Sequence, residues 1–288
     1  MSAVAYDPAH HPAHHPAYDP AHDEGARRTG TLLHDSGAVL GRHLRRIRRA
    51  PGVVLLTQGM PINMLLFFGY VFGSALATPG REYRAFLVPG LMAATAAGGL
   101  MTGMFQASQD AQRGVMDRFR TLPMSRAAVP LGQTAADLLA TAAGIVPLAL
   151  VGLAVGWRIE GGAPGALGAL GVLLLFRFAT AWVGTYVGLV LRDEEVAGQL
   201  GAVTFVLPLL SSAYIPTGGL PDRLRTLAEW NPISAVAGAV RDLFGNAAPA
   251  ADAAWPTAHP VAGSLLWSLA LLVVFVPLTV RRYANSGE

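Results

Sequence analysis

The chain has 288 residues, of which 52% are hydrophobic and 14% are charged. Soluble domains average about 25% charged residues. With this low charge and a mean hydropathy of +0.42, the chain is not an ordinary soluble protein. No cysteine is present and all 21 basic residues are arginine, which excludes disulfides, thiolate zinc sites, cysteine nucleophiles and a P-loop lysine, so any ATP hydrolysis must come from a partner. The net charge of only +3 fits arginines in cytoplasmic loops better than nucleic-acid binding, and we expect no nucleic-acid partner.

Residues 1–34 form a biased tail in which the string YDPAH occurs at 6–10 and again at 18–22. Frequent proline and few aliphatic side chains leave little to bury, so we expect this tail to be disordered. Its histidines could bind a transition metal loosely, but a solvated tail with no part in the mechanism is the simpler interpretation, and we assign no metal site. The arginine-rich stretch 35–49 has leucine and isoleucine at helical spacing, which predicts an amphipathic helix on the cytoplasmic membrane surface.

Six apolar stretches are each long enough to cross about 30 Å of hydrocarbon. Because unpaired backbone amides are too costly in lipid, these stretches must be helices. The sequence therefore predicts an all-α integral membrane protein with six transmembrane helices. The predicted spans are 53–77, 86–107, 138–156, 165–191, 196–218 and 261–280.

The orientation follows from the distribution of arginine. With the N-terminus inside, fourteen arginines lie on the cytoplasmic side, six lie outside and one lies within a span. The positive-inside rule therefore places both termini in the cytoplasm.

The cytoplasmic connection between the second and third spans predicts a short amphipathic helix over 109–122. Val115, Phe119 and Leu122 share one face of this helix, and Pro123 ends it. Periodicity alone leaves two interpretations open. The helix either links two spans, or inserts into a groove of a soluble partner and transmits that partner's motion to the membrane.

Arg177 lies near the middle of the fourth span. An arginine at the centre of a spanning helix costs about 2.5–3.5 kcal/mol on insertion scales, so it should face protein, water or a counter-charge. It could contact an anionic group of a substrate, pair with Asp137 at the start of the third span, or be satisfied by backbone carbonyls. Both residues are candidates for a translocation path.

Two short helices are predicted outside the membrane, between the fifth and sixth spans. Leu220, Leu224 and Leu227 share a face of the first helix. In the second, an asparagine N-cap and a proline at the first helical position mark the start, and a glycine marks the end. The pair either lies on the surface or forms a hairpin that dips into the outer leaflet. The candidate hairpin residues are Pro221, Trp230, Asn231, Pro232 and Arg241.

Two strings resemble one family. The string from Asp110 to Gly132 resembles the signature loop of type-2 ABC exporter permeases, above all the daunorubicin-resistance branch, whose loop reads much like GVMDRFRSLPISR. The string AYIPTGGLPDRLRTLAEWNPISAVAGAVRDL is similar to that branch's pattern after the fifth span, and the resemblance covers about residues 40–285. The residues that it assigns to a coupling element are Asp110, Arg113, Gly114, Asp117, Arg118, Phe119, Arg120, Leu122, Pro123 and Arg126.

The resemblance implies a six-span permease domain over 35–288 that works with a separate ATPase. Two permeases, expected to be a homodimer, and two cytosolic ATPase subunits would form the working unit in the cytoplasmic membrane. ATP and magnesium would bind the ATPase, with no cofactor on this chain. An amphipathic drug-like, secondary-metabolite or lipid-linked substrate would leave between the two permeases, and the hairpin would be re-entrant and cap the exit path.

Alternatives remain at this point. A permease for a glycolipid or polysaccharide precursor, or a non-transporting assembly or immunity subunit, would have the same architecture. A membrane-embedded enzyme is disfavoured because no HExxH motif, cysteine, lysine or Asp-rich phosphotransfer motif is present. A secondary transporter would need intramembrane carboxylates, for which Asp137 is the one candidate.

Overall fold

A computed structural model describes residues 59–72, 80–112, 128–191, 194–246 and 253–285. Within these ranges the regular structure is entirely helical, which confirms the all-α prediction. The helical segments in these ranges that are long and apolar enough to cross a membrane are Glu82–Gln109, Asp137–Ala154, Gly162–Leu191 and Pro260–Arg282. They correspond to the second, third, fourth and sixth predicted spans. The predicted tail at 1–34 and the predicted surface helix at 35–49 lie outside the described residues.

The helices are numbered here in chain order, with a π-helical turn at Phe68–Phe72 and a 3₁₀ turn at Thr217–Gly219. They are α1 (Gly59–Phe67), α2 (Gly80–Ala97), α3 (Gly99–Gln112), α4 (Ala128–Ala154), α5 (Gly162–Leu191), α6 (Glu194–Thr204), α7 (Val206–Leu209), α8 (Asp222–Trp230), α9 (Pro232–Phe244), α10 (Trp255–Ala258) and α11 (Pro260–Asn285).

The first and fifth predicted spans are represented by shorter helices. Of the first, the structure describes 59–72, which contain α1 and the π-helical turn. The fifth predicted span, 196–218, is not one continuous helix, because α6 ends at Thr204, α7 ends at Leu209 and turns follow. The Thr204 hydroxyl donates to the Gly201 carbonyl at 2.6 Å, and Pro208 has no N–H to donate to the preceding turn. Hydropathy responds to apolar residues in a turn as it does to those in a helix.

Helix α5 forms the centre of the bundle. Its 30 residues span about 45 Å at 1.5 Å per residue, more than the hydrocarbon core requires. The helix is apolar around its whole circumference, which is typical of a helix surrounded by others. It packs against α2, α3, α4, α9 and α11.

The crossing of α3 and α5 depends on glycine. A Cβ atom added to Gly103 would overlap the carbonyl oxygen of Ala181, and one added to Gly184 would overlap that of Leu100. The two helix backbones are therefore in contact, as small residues spaced four apart allow in membrane helices. The spaced glycines that the sequence shows on both helices thus meet within one chain.

Helices α8 and α9 differ sharply in burial. Val236, Ala237 and Val240 of α9 are fully buried, and this helix packs against α2, α5 and α11 inside the bundle. For α9 the surface-helix interpretation is therefore wrong. Helix α8 exposes two of the leucines predicted to share its face, Leu224 and Leu227.

Candidate functional site

The predicted coupling element begins at the end of α3. Residues 109–112 are the last turn of α3 and do not start a separate helix, and Asp110 belongs to this turn. The coupling role of the remaining residues stays a prediction. Those that lie outside the described residues are Arg113, Gly114, Asp117, Arg118, Phe119, Arg120, Leu122, Pro123 and Arg126.

Arg177 and Asp137 form a buried, two-point ion pair between α5 and α4. The Arg177 Nε donates to Asp137 Oδ2 at 2.6 Å, and Nη2 donates to Oδ1 at 2.6 Å. The two side chains are only 9% and 10% exposed. Paired parallel hydrogen bonds of this kind are the strongest geometry for an arginine and a carboxylate.

The same guanidinium also holds the break between α2 and α3. Arg177 Nη1 donates to the Thr95 carbonyl at 3.2 Å, and Nη2 donates to the Thr102 hydroxyl at 2.9 Å. Gly98 lies between these two threonines, at the point where the helix is interrupted. The sequence allowed three kinds of partner for Arg177. The structure shows two of them together, the Asp137 carboxylate and a backbone carbonyl.

An apolar cavity of about 140 Å³ lies between α1, the α2–α3 break and α6–α7. Met60, Met64 and Met101 contribute flexible, polarisable side chains to its wall. Thr95 and Gly98 also line it, so the Arg177–Asp137 pair lies directly behind one wall. Sequence reasoning missed this cavity because its wall combines three separate segments.

Asn231 begins α9 as the sequence predicts. Its side-chain oxygen accepts from the Ile233 N–H at 2.9 Å, and Pro232 is the first helical residue. The side-chain amide also donates to the carbonyls of Leu207 and Leu210, at 2.9 and 3.0 Å. Asparagine thus caps the start of α9 and satisfies carbonyl groups at the end of α7.

The predicted end of α9 is also confirmed. Gly245 adopts the left-handed conformation with φ of 72°, which glycine reaches at no steric cost. Asn246 follows and accepts from the Trp157 indole N–H at 2.7 Å, while the backbone N–H groups of Glu160 and Gly161 donate to the Phe244 carbonyl. The α4–α5 connection and the end of α9 therefore lie at the same end of the bundle.

Arg241 ties α9 to two other segments. Its side chain is buried, and Nε donates to the Phe86 carbonyl of α2 at 2.9 Å. Its Nη2 donates to the carbonyls of Ser212 and Ala213 at 2.7 and 3.3 Å. Arg241 was a candidate because of the sequence pattern around it, but that pattern contains no information on Phe86, Ser212 or Ala213 as its partners.

Residues 210–214, which we term the 210–214 turn, have their backbone groups bonded by distant side chains. The Ser212 N–H donates to the Ser234 hydroxyl at 2.8 Å, and the Ser234 hydroxyl donates to the Ala228 carbonyl. The Tyr83 hydroxyl donates to the Tyr214 carbonyl at 3.1 Å. Neither Ser234 nor Tyr83 carries a local sequence signal that would have identified it.

Glu229 connects three segments around α8. Its carboxylate accepts from Arg225 Nε at 2.8 Å, the Thr217 hydroxyl at 3.2 Å and the Ala254 N–H at 2.7 Å. Burial by itself would raise the pKa of this carboxyl group, but these hydrogen bonds outweigh it and lower the pKa below the ordinary value of 4.5. The other selected hairpin residues, Pro221 and Trp230, lie exposed at the two ends of α8.

In the described ranges, no three side chains of the types that ligate metals come together.

The chain is similar to known membrane transport proteins. Residues 36–244 match the family model described as ABC-2 type transporter. The chain is also 33% identical over 261 residues to the "Daunorubicin resistance ABC transporter permease protein DrrB1" of Streptomyces coeruleorubidus, and this alignment covers 90% of the chain and 87% of that protein.

Proposed function

Since the chain belongs to the ABC-2 type transporter family, we propose that it is the permease through which an amphipathic, drug-like compound leaves the cell. It is a multi-pass membrane permease subunit, and ATP is hydrolysed by an ABC ATPase on a separate chain. The 33% identity to a daunorubicin-resistance permease over 90% of the chain carries the proposed substrate class.

We propose six spans with both termini in the cytoplasm. The two shorter apolar helices Gly59–Val71 and Gly198–Leu209 would supply the first and fifth spans, together with their flanking residues. The contact between Trp157 and Asn246 supports this order of spans, because six spans put the α4–α5 connection and the hairpin on the same outer side. A homodimer with two ATPase subunits, on which ATP and magnesium bind, completes the proposed assembly.

We propose that Asp110 to Arg126 couple the ATPase to the bundle. Helix α3 supports this, because it contains Asp110 in its last turn and the other residues proposed to couple follow it in the chain. A movement at the end of α3 would be carried through its tight glycine crossing with α5 towards the break at Gly98. Packed elements with two discrete arrangements transmit such motion better than loose ones.

We propose that the methionine-lined cavity is part of the translocation path. An amphipathic compound needs an apolar wall that adapts its shape, which methionine provides. Arg177 and Asp137 would act on this path indirectly. Since they satisfy each other and hold Thr95 in the wall, they would shape the cavity without contacting the substrate.

We propose that α8 and α9 form a re-entrant hairpin that caps the exit. Buried α9 would be its inner arm, and α8 would place Leu227 and Trp230, which are 67% and 52% exposed, in the outer leaflet. Tryptophan favours that depth because its ring is amphipathic.

Reconstitution tests the proposal. The chain and its cognate ATPase are placed in inside-out proteoliposomes, and ATP-dependent uptake of fluorescent daunorubicin is measured. Uptake is expected only with both proteins and ATP, and it should disappear when the ATPase carries a substitution of its P-loop lysine. Equal uptake by the chain alone, or no uptake by the complete system, would contradict the proposed function.

A further inference from the structure

We propose that Ser234 and Arg241 are positioning residues that latch the 210–214 turn closed beside the cavity, and that this latch opens in each transport cycle. The inference rests on the proposed function and adds to it the device that controls release.

The turn is part of the cavity wall. Pro208, which precedes it, and Tyr214, its last residue, line the cavity together with Leu91 and Ala94 of α2. Residues Ser211 to Tyr214 are all buried. A displacement of this turn would therefore change the cavity on the side where α7 ends.

Side chains of α9 bond to three backbone groups of the turn. The N–H of Ser212 is bonded to Ser234, and the carbonyls of Ser212 and Ala213 are bonded to Arg241. A buried backbone group without a partner costs about 1–3 kcal/mol. The two α9 side chains therefore favour the closed position, to which the Tyr83 hydroxyl of α2 adds its bond to the Tyr214 carbonyl.

In the closed position the turn also packs directly against α2. A Cβ atom on Gly90 of α2 would overlap the Ala213 carbonyl oxygen and would lie 2.9 Å from Arg241 Nη2. With the backbones this close, the turn is either seated on α2 or separated from it. Packed contacts of this kind switch between two states and do not deform continuously.

The chemistry of the latch suits repeated opening. In the part of the chain that the structure describes, Arg241 bonds to carbonyl oxygens and to the Ser212 hydroxyl, and not to a carboxylate. Water can replace neutral acceptors of this type when the turn moves away. The Arg177–Asp137 pair differs, because its separation would leave two buried charges unpaired.

The absence of cysteine allows a direct test. Ser212→Cys and Ser234→Cys together create one thiol pair in the chain, and a short bis-methanethiosulfonate reagent, reversed by dithiothreitol, joins the two thiols in proteoliposomes that contain the cognate ATPase. We expect cross-linking to abolish the daunorubicin export that the double-cysteine protein retains, and reduction to restore export to the level that this protein had before cross-linking. Because the same folded molecules are measured before and after reduction, a folding defect cannot produce this result.

Asp222→Cys with Thr226→Cys is the matched control. Both residues are exposed on α8, four positions apart, so the reagent bridges one helix without reaching the turn. Export should survive this cross-link and each of these two substitutions alone. Undiminished export with the Ser212–Ser234 bridge in place, or failure of these two thiols to cross-link, would overturn the latch. Neither result would affect the proposed function, which fails only if the unmodified chain and its ATPase do not export.

Discussion

Arg241 and Phe86 lie 155 positions apart in the chain but touch in two ways. The guanidinium carbon of Arg241 lies 3.6 Å from the centroid of the Phe86 ring, and the Arg241 Nε donates to the Phe86 carbonyl. A cation over an aromatic face is attracted by the ring quadrupole, more strongly when water is excluded. This double contact joins α9 to α2 and places the arginine where it also reaches Ser212 and Ala213.

Arg241→Met should destabilise the protein. The change leaves the carbonyls of Phe86, Ser212 and Ala213 without their donor, at about 1–3 kcal/mol for each buried group. Thermal unfolding in detergent measures the loss as a lower melting temperature. Arg223→Met on exposed α8 is the control, and an equal melting temperature for the two variants would contradict the pinning role of Arg241.

Asp137→Ala should cost about 3–5 kcal/mol of folding stability, because it leaves a buried arginine unpaired. The double variant Asp137→Ala with Arg177→Met removes both charges and is expected to be more stable than Asp137→Ala alone. Denaturant unfolding of Asp137→Ala, Arg177→Met and the double variant measures the coupling between the two residues. If the two substitutions simply added, the ion pair would have no energetic role.

Glu229 should make stability depend on pH. Its folded-state pKa is lowered, so the folded protein holds the proton less well than the unfolded chain does. Its contribution is therefore complete above the unfolded-state pKa and is lost as the pH falls through the folded-state pKa. Glu229→Gln should flatten the dependence of the melting temperature below about pH 5. Glu160→Gln, at an exposed carboxylate, should leave it unchanged, and a flattening as large as that of Glu229→Gln would count against this explanation.

Gly103→Ala should weaken the crossing of α3 and α5, since its Cβ overlaps the Ala181 carbonyl oxygen. We expect a lower melting temperature in detergent and reduced export. Gly171→Ala is the control, on the other helix of this pair, α5. Its new methyl group has open space around it, so the change should be neutral or stabilising by up to about 1 kcal/mol. The same melting temperature for both variants would mean that the backbones are farther apart than the structure shows.

Phe119→Ala should uncouple the permease from its ATPase. If the side chain inserts into a groove of the partner, its removal leaves a membrane-inserted protein that no longer supports substrate-stimulated ATP hydrolysis. The measurement is ATPase activity in proteoliposomes with and without daunorubicin. Unchanged stimulation and unchanged export would argue against the coupling role.

The local features of this protein can be read from its sequence. The long apolar stretches identify four helices that are able to cross a membrane. Asn231 and Pro232 mark the start of α9, and Gly245 marks its end. Both kinds of feature can be predicted because they depend on residues that are close together in the chain. The interruption of the fifth predicted span shows the limit of this approach. Hydropathy alone does not tell an apolar turn from an apolar helix.

The site itself was decided by the tertiary structure. Tyr83 reaches Tyr214 across 131 positions and Arg177 reaches Asp137 across 40, and no periodicity specifies such pairs. The sequence required that Arg177 find a partner, since an unpaired charge is costly inside a membrane, and it offered Asp137 as one of three candidates. The packing of the helices decided which partner Arg177 found and which carbonyls Arg241 bonded. Packing has this effect because it sets the few positions where a buried donor meets an acceptor.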